Sequence, residues 1–461
     1  MTIQTDQLND LSIESYNQLF VNRGKFAPEY FPNGPGDLHI KRKKVLFRLT
    51  IVDYGVGIGH NPNITFEGCE FTDNVRFNSD TVIKRDIKFI NCTFKKDVTF
   101  ESGEFKKEVQ FLGGEIEGVL IVESGKFEKL HIACDAAEVK IEKGNYTDLS
   151  IYNPGEYPDP LRSIDNLSID FKLITGNVRI EGYSIRNLKL TGTVNKDTEL
   201  LMKEMFFSKI KFENLYCNGK IRIFDLIASA RLSPGLEITN SNLGKMDIVN
   251  VNLRSVYALS IKSSYLVECT FVNVTWPDSF FNVYENTLES ILLDNKETFR
   301  QLKYAYSKQG DSVMEHKFHG VELDAYRFYL KAKRREMKPP YNSKFERWKK
   351  HRQTSIILLL SKITSNYGQS FAAPLVTILV TGVPLFVLMV AFNKIPPLKL
   401  GFNFSLGNIS TTVAHWLNFI NPLRRYDNQD VNGGLIFDFV MRIISSFCIY
   451  NFIRATRRFV K

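Results

Sequence analysis

The sequence predicts a mainly β chain: a narrow coil of short strands, then an α-helical hairpin, then an α-helical module with two membrane spans. Three observations carry this. A hydrophobic phrase recurs about every eleven residues in the first half of the chain. A helical period replaces it after Trp276-Pro277. The 22 residues from Phe371 to Phe392 contain no charge.

The repeat is clearest in three rows whose apolar residues fall at offsets 0, 5, 9 and 11: Phe66, Phe71, Val75, Phe77; Phe89, Phe94, Val98, Phe100; and Phe100, Phe105, Val109, Phe111. A form one residue shorter reads Phe111, Ile116, Val119, Ile121 and returns as Ile141, Tyr146, Leu149, Ile151, as Ile180, Ile185, Leu188, Leu190, and as Ile238, Leu243, Met246, Ile248. A step of five fits neither the helical period nor strict alternation. It fits a chain that turns a corner about every five residues. A small residue (Cys69, Cys92, Gly103, Gly114, Gly125, Gly144, Ser241, Cys269) stands two positions before the large one, as a cramped interior requires. Self-similarity of this kind decides the architecture.

Cys69-Glu70-Phe71, Cys92-Thr93-Phe94, Gly144-Asn145-Tyr146 and Ser241-Asn242-Leu243 resemble the pentapeptide-repeat family. The resemblance implies a right-handed β-solenoid with four short sides per coil. The fold class is therefore mainly β, a right-handed β-solenoid, followed by a helical hairpin and an α-helical two-span membrane module. At roughly 20 residues per coil the repetitive region makes about ten coils and a rod on the order of 50 Å long. Residues 152–166 and 192–208 read as insertions. The competing architecture, an antiparallel sandwich, needs frequent turn signals, and Asn218-Gly219 is the only Asn-Gly or Asp-Gly pair in the region.

The net charge of +10 is unevenly placed. Residues 1–290 carry 34 Lys and Arg against 39 Asp and Glu, and residues 291–461 carry 26 against 11. A nucleic-acid role is disfavoured, as is an acidic DNA-mimicking rod. The six cysteines have no CxxC spacing and read as small core residues of a reducing compartment. The first 40 residues hold no long apolar run, so no secretory signal is expected.

After the repeat, Leu288, Ile291, Leu292, Phe299, Leu302 and Tyr306 adopt helical spacing up to Gly310-Asp311, and a second helix is expected over about 312–335. FRQLKYAYSKQGD resembles the first helix of a tetratricopeptide repeat, but it has no second copy, so the hairpin reads as a cap and connector. His316 and His319 share a face there, with Glu315 and Glu322 nearby. That spacing suits a metal pair, though it is common on solvated helices.

The segment 371–392 extends about 33 Å as a helix, enough to cross the hydrocarbon core. A second span, 435–453, contains Asp438 and Arg442 one turn apart, a pair too costly to face lipid. Between them Gly401 to Leu423 lacks Asp, Glu, Lys and Arg, which suits a re-entrant or interfacial segment, or an amphipathic loop on the outer surface. The basic residues Lys344, Arg347, Lys349, Lys350 and Arg352 precede the first span and are expected to meet anionic headgroups. The positive-inside rule places both termini in the cytoplasm, in a cytoplasmic (inner) membrane. SNYGQSFAAPL and IYNFIRATRRFVK resemble membrane pentapeptide-repeat proteins that carry an ion-channel-like helix pair.

The domains expected are a cap region 1–61, a solenoid 62–280, a helical hairpin 281–336, a basic juxtamembrane segment 337–368 and a membrane module 369–461. No nucleotide loop, HExxH or GxSxG is present, so no enzyme and no cofactor are expected. The leading function is a homo-oligomeric, channel-like membrane protein with a cytosolic sensing rod; Asp438, Arg442, His415 and Asn421 are its candidate interior residues. The alternative is a membrane-anchored scaffold whose solenoid binds a protein partner. A weaker one is an effector that depolarises its own cell.

Overall fold

Neighbouring coils are joined by parallel strand pairing, which sets like side chains on like. In the computed structural model Ile40, Phe66, Phe89, Phe111 and Ile132 lie opposite one another on successive strands. A second column runs Phe77, Phe100, Val122, Ile141, Ile169, Leu190, Phe212, Ile238, Ile261. Residues 9–11, 37–46, 49–50, 63–77, 82–153, 162–228, 234–281, 288–336, 344–393, 406–423 and 435–457 are described. The chain divides after Phe281 into two units, and the first is a β-solenoid of about nine turns.

The phenylalanine rows fill its interior. Phe66 stacks on Phe89 at 5.2 Å, Phe71 on Phe94 at 4.7 Å and Phe77 on Phe100 at 4.1 Å. Edge contacts such as Phe71 to Phe89, at 76°, join one stack to the next. Such aromatic pairs add about 0.5–1.5 kcal/mol each beyond burial.

Corners recur in register as well. Arg42, Gly68, Asn91 and Gly113 all have positive φ, as do Gly182, Glu204, Asp225, Asn250 and Asn273 further along. At these corners the backbone N–H reaches the next turn: Gly68 N donates to Ile90 O at 2.8 Å. A polar ladder reinforces two other edges. Asn63 Oδ1 accepts from the Asp86 amide at 3.0 Å, and Asp86 Oδ1 from the Glu108 amide at 3.1 Å. Asn74 and Asp97 repeat the arrangement toward Asp97 and Val119.

Two sequence expectations change here. The shortened row beginning at Phe111 does not hold at its end: Leu120 and Val122, not Val119 and Ile121, are fully buried. An irregularity between Ile116 and Val119 restores the longer spacing. Residues 192–208 are not an insertion, because Glu199–Lys203 pairs with Asn177–Glu181 on one side and Lys220–Phe224 on the other. Leu200 and Met202 point inward on either side of the half-buried Leu201, which blurs the alternation in so short a strand. The stretch 154–161 lies outside the described residues. Asp37–Lys41 pairs with Asn63–Glu67, so the ladder extends into residues before the repeat becomes recognisable.

Gly114 has φ +77°, and a Cβ there would overlap the Cys92 carbonyl. Gly114→Ala is expected to destabilise the solenoid by at least about 2 kcal/mol, from left-handed strain plus overpacking. A chemical denaturation midpoint unchanged from the parent would contradict this.

The second unit holds six helices among the described residues: α1 (Glu289–Gln309), α2 (Ser312–Glu336), α3 (Lys344–Ser365), α4 (Ala372–Asn393), α5 (Leu406–Ile420) and α6 (Leu435–Arg457). Gly310, at φ 79°, ends α1. Asp311 Oδ1 then accepts from Met314 N at 3.0 Å, starting α2. Phe318 of α2 stacks on Tyr306 of α1 at 5.5 Å, closing the expected hairpin.

Candidate functional site

Helices α4 and α6 are each long and apolar enough to cross a membrane, with mean hydropathies of 2.3 and 1.5. Both leave most of their large apolar side chains exposed. On α6 the buried positions Asp438, Met441, Ser445, Cys448, Asn451 and Ala455 follow steps of three or four, so they form one face, half of it polar. Ile436, Phe439, Ile443, Phe447, Tyr450 and Ile453 are exposed. On α4, Leu375, Val376, Leu379, Val380, Val383 and Val387 are exposed too. Thr377 and Thr381 there satisfy their hydroxyls by donating to the carbonyls of Ala373 and Thr377, at 2.8 and 2.7 Å.

Helix α5 closes this arrangement. Phe386 and Met389 of α4, Phe419 of α5 and Met441 of α6 form one apolar cluster, flanked by Trp416 and Ile420. Gly382 permits the close meeting, since a Cβ there would come within 3.3 Å of both Ile420 and Met441. Small residues serve this purpose between membrane helices.

Asp438 Oδ2 accepts from Arg442 Nε at 2.8 Å, and both side chains are largely buried. His415 and Asn421 are exposed. The four residues singled out for a pore interior therefore separate: Asp438 and Arg442 lie inside one chain's own helix cluster, whereas His415 and Asn421 lie on its outside.

A dense polar network lies where the hairpin meets these helices. Residues 365–370, Ser-Asn-Tyr-Gly-Gln-Ser, make a turn in which Asn366, Tyr367 and Gly368 all have positive φ. Ser365 is fully buried; its Oγ donates to Ser361 O at 3.0 Å, accepts from Gly368 N at 3.0 Å and lies 3.4 Å from Asn451 Oδ1 on α6. Asp324 of α2 takes Lys362 Nζ on both oxygens, at 2.8 and 2.7 Å, and the Tyr367 hydroxyl at 2.9 Å. Burial and the Asp324 charge raise the Tyr367 pKa, keeping it a neutral donor. Gln369 Nε2 donates to His316 O at 2.9 Å, across Gly320, where any Cβ would collide with the Gln369 amide. One short turn thus ties α2, α3 and α6 together.

This joint predicts a specific loss. Asp324→Ala removes charge-assisted bonds worth about 1.5–3 kcal/mol each at most and leaves Lys362 and Tyr367 to find water. Faster amide exchange across residues 361–370 is expected, with α4 unaffected; unchanged exchange would count against the joint.

His319 Nδ1 lies 3.5 Å from Glu322 Oε2, which Lys303 already holds at 2.7 Å. Burial opposes ionisation of Glu322, but the His319 and Lys303 contacts outweigh it and its pKa falls below the usual carboxylate value. The ammonium occupies the place a cation would take, and no group of three or more potential ligands occurs among the described residues. His316 contributes its carbonyl to Gln369. The basic run divides between elements: Lys331 and Lys333 belong to α2, while Lys344, Arg347, Lys349, Lys350 and Arg352 belong to α3. Arg352 is exposed; the side chains of 344–350 lie outside the described residues.

On the solenoid, cross-turn pairs neutralise charge locally, among them Arg76 with Glu101 at 3.0 Å, Lys129 with Glu108 at 3.0 Å and Lys203 with Glu181 at 3.2 Å. A groove of about 620 Å³ crosses several turns, lined by Ser102, Ser124, Lys126, Lys143, Asn145 and Thr175. The six cysteines are free and buried, and burial pushes the Cys134 thiol up to about 12. No family model, no curated protein and no solved structure matches the chain.

Proposed function

We propose that the chain is an integral membrane protein in which α4 and α6 anchor a β-solenoid that binds a protein partner, in a binding rather than a catalytic role. The exposure pattern of the two helices carries this reading: their outward faces are mostly aliphatic and aromatic, and Asp438, Ser445 and Asn451 of α6 are buried. The basic flanks of α4 and α6 support cytoplasmic termini and contact with anionic lipid. The groove across the solenoid turns, rimmed by Lys126 and Lys143, is the favoured partner surface.

A second reading, an oligomeric channel-like pore, is favoured by the charged pair Asp438–Arg442 within a span, since such pairs mark conduction paths in many membrane proteins. It requires several copies, because two spans and one short helix cannot surround a path. The exposed His415 and Asn421 would then face neighbouring copies.

Alkaline extraction and liposome reconstitution test both. An anchor stays in the membrane at high pH and shows no ion flux, and substitutions along the solenoid groove abolish partner binding. Release into the supernatant defeats the membrane reading. Flux that changes with Asp438→Asn replaces the anchor with the pore.

A further inference from the structure

We infer that α3 lies in the plane of the membrane surface with anionic phospholipid as its ligand, an inference that rests on the membrane reading of α4 and α6. Its two faces differ sharply. Leu358, Lys362 and Ser365 turn toward the second unit's own interior: Leu358 packs with Leu330 and Tyr367, Lys362 grips Asp324, and Ser365 meets Asn451. On the other side Ile356, Leu359, Leu360 and Ile363 are exposed, Leu360 by 49% and Ile363 by 61%. With Arg352 one turn earlier they follow helical spacing and form a single stripe. In water this stripe is unfavourable at about 25 cal/mol per Å² of exposed apolar surface.

Two features select lipid as the occupant. The first half of α3 is strongly basic, with Lys344, Arg347, Lys349, Lys350 and Arg352 against Glu346 alone, and anionic headgroups attract such a segment by about 1 kcal/mol per charge. The stripe is also continuous in chain with α4: the turn 365–370 joins the end of α3 directly to the first membrane-crossing helix. An interfacial helix buries its apolar face about 5–10 Å below the headgroups, and the docked face then carries α2 on the side away from lipid.

The native cysteines are all buried, so an introduced surface cysteine can be labelled selectively in the full-length protein. Leu360→Cys, Val380→Cys and Tyr257→Cys, each carrying a fluorophore, are placed in nanodiscs containing phosphatidylglycerol and lipids brominated both near the headgroup and near the acyl-chain ends. Val380 is an exposed position in the middle of α4 and Tyr257 an exposed one on the solenoid. Quenching of 360 and 380 but not 257 is expected, and replacing phosphatidylglycerol with phosphatidylcholine should weaken quenching at 360 by at least about twofold. Quenching at 380 without quenching at 360 overturns the inference while leaving the membrane reading intact. Absence of quenching at both removes the membrane reading itself. Quenching at 360 that is indifferent to lipid charge, or self-quenching that grows with copies per disc in place of bromine quenching, overturns anionic lipid as the ligand.

Discussion

Asp438→Ala is expected to be the most damaging single change in the helical unit. It takes the Asp438 carboxylate away from the largely buried Arg442 guanidinium, which follows Met441 of the apolar cluster between helices. Breaking a buried ion pair from one side costs about 3–5 kcal/mol, because the remaining buried charge loses a counter-ion. The replacement of both residues, Asp438→Leu with Arg442→Leu, is expected to recover most of that loss, since an apolar pair of similar volume is often neutral or better. Thermal denaturation in bicelles distinguishes the two variants. A single change that is silent, or a double change as damaging as the single, would show that the pair is not desolvated.

Phe89→Ala is expected to be the largest single loss in the solenoid, about 3–5 kcal/mol. Phe89 stacks on Phe66 at 5.2 Å and on Phe111 at 5.0 Å, and makes edge contacts with Phe71, Phe77 and Phe94. No smaller side chain reaches all five rings. Because each turn contacts chiefly its neighbours, the damage should concentrate between residues 64 and 116, where limited proteolysis would cut first. Cleavage confined to the far end of the solenoid would contradict this.

The phenylalanine columns were legible in the sequence because stacking demands the same large residue at the same phase of each turn. The two apolar helices were legible because long apolar runs are visible in the sequence itself. What escaped was either polar or distant. The edge ladder through Asn63 and Asp86 does leave a trace, a polar acceptor directly before Ile64 and Ile87, but it emerges only when copies are aligned on those apolar residues. The side Glu199–Lys203 shows just two inward residues. The joint was nearly invisible: Asp324 and Tyr367 are separated by 43 positions, and Ser365 and Asn451 by 86. No local period links such partners, so SNYGQS stood out as a motif without its physical purpose. His415 of α5 and Asn421 just after it lie on the exposed side of that helix, which packs inward through Phe419, and no local pattern marks which side that is.

The in-register parallel ladder also bears on how such a chain can change length over generations. Each residue of a turn meets its counterpart one turn before and one turn after, 22 or 23 positions away along the chain in the ladder from Asn63 to Glu108. Duplicating or deleting one whole turn therefore gives every remaining residue a neighbour of the kind it already had. A change of a few residues would instead set corners against sides. Gene-level tandem duplication supplies the permitted step, and each event lengthens the rod by one strand spacing, about 4.8 Å, without disturbing either end.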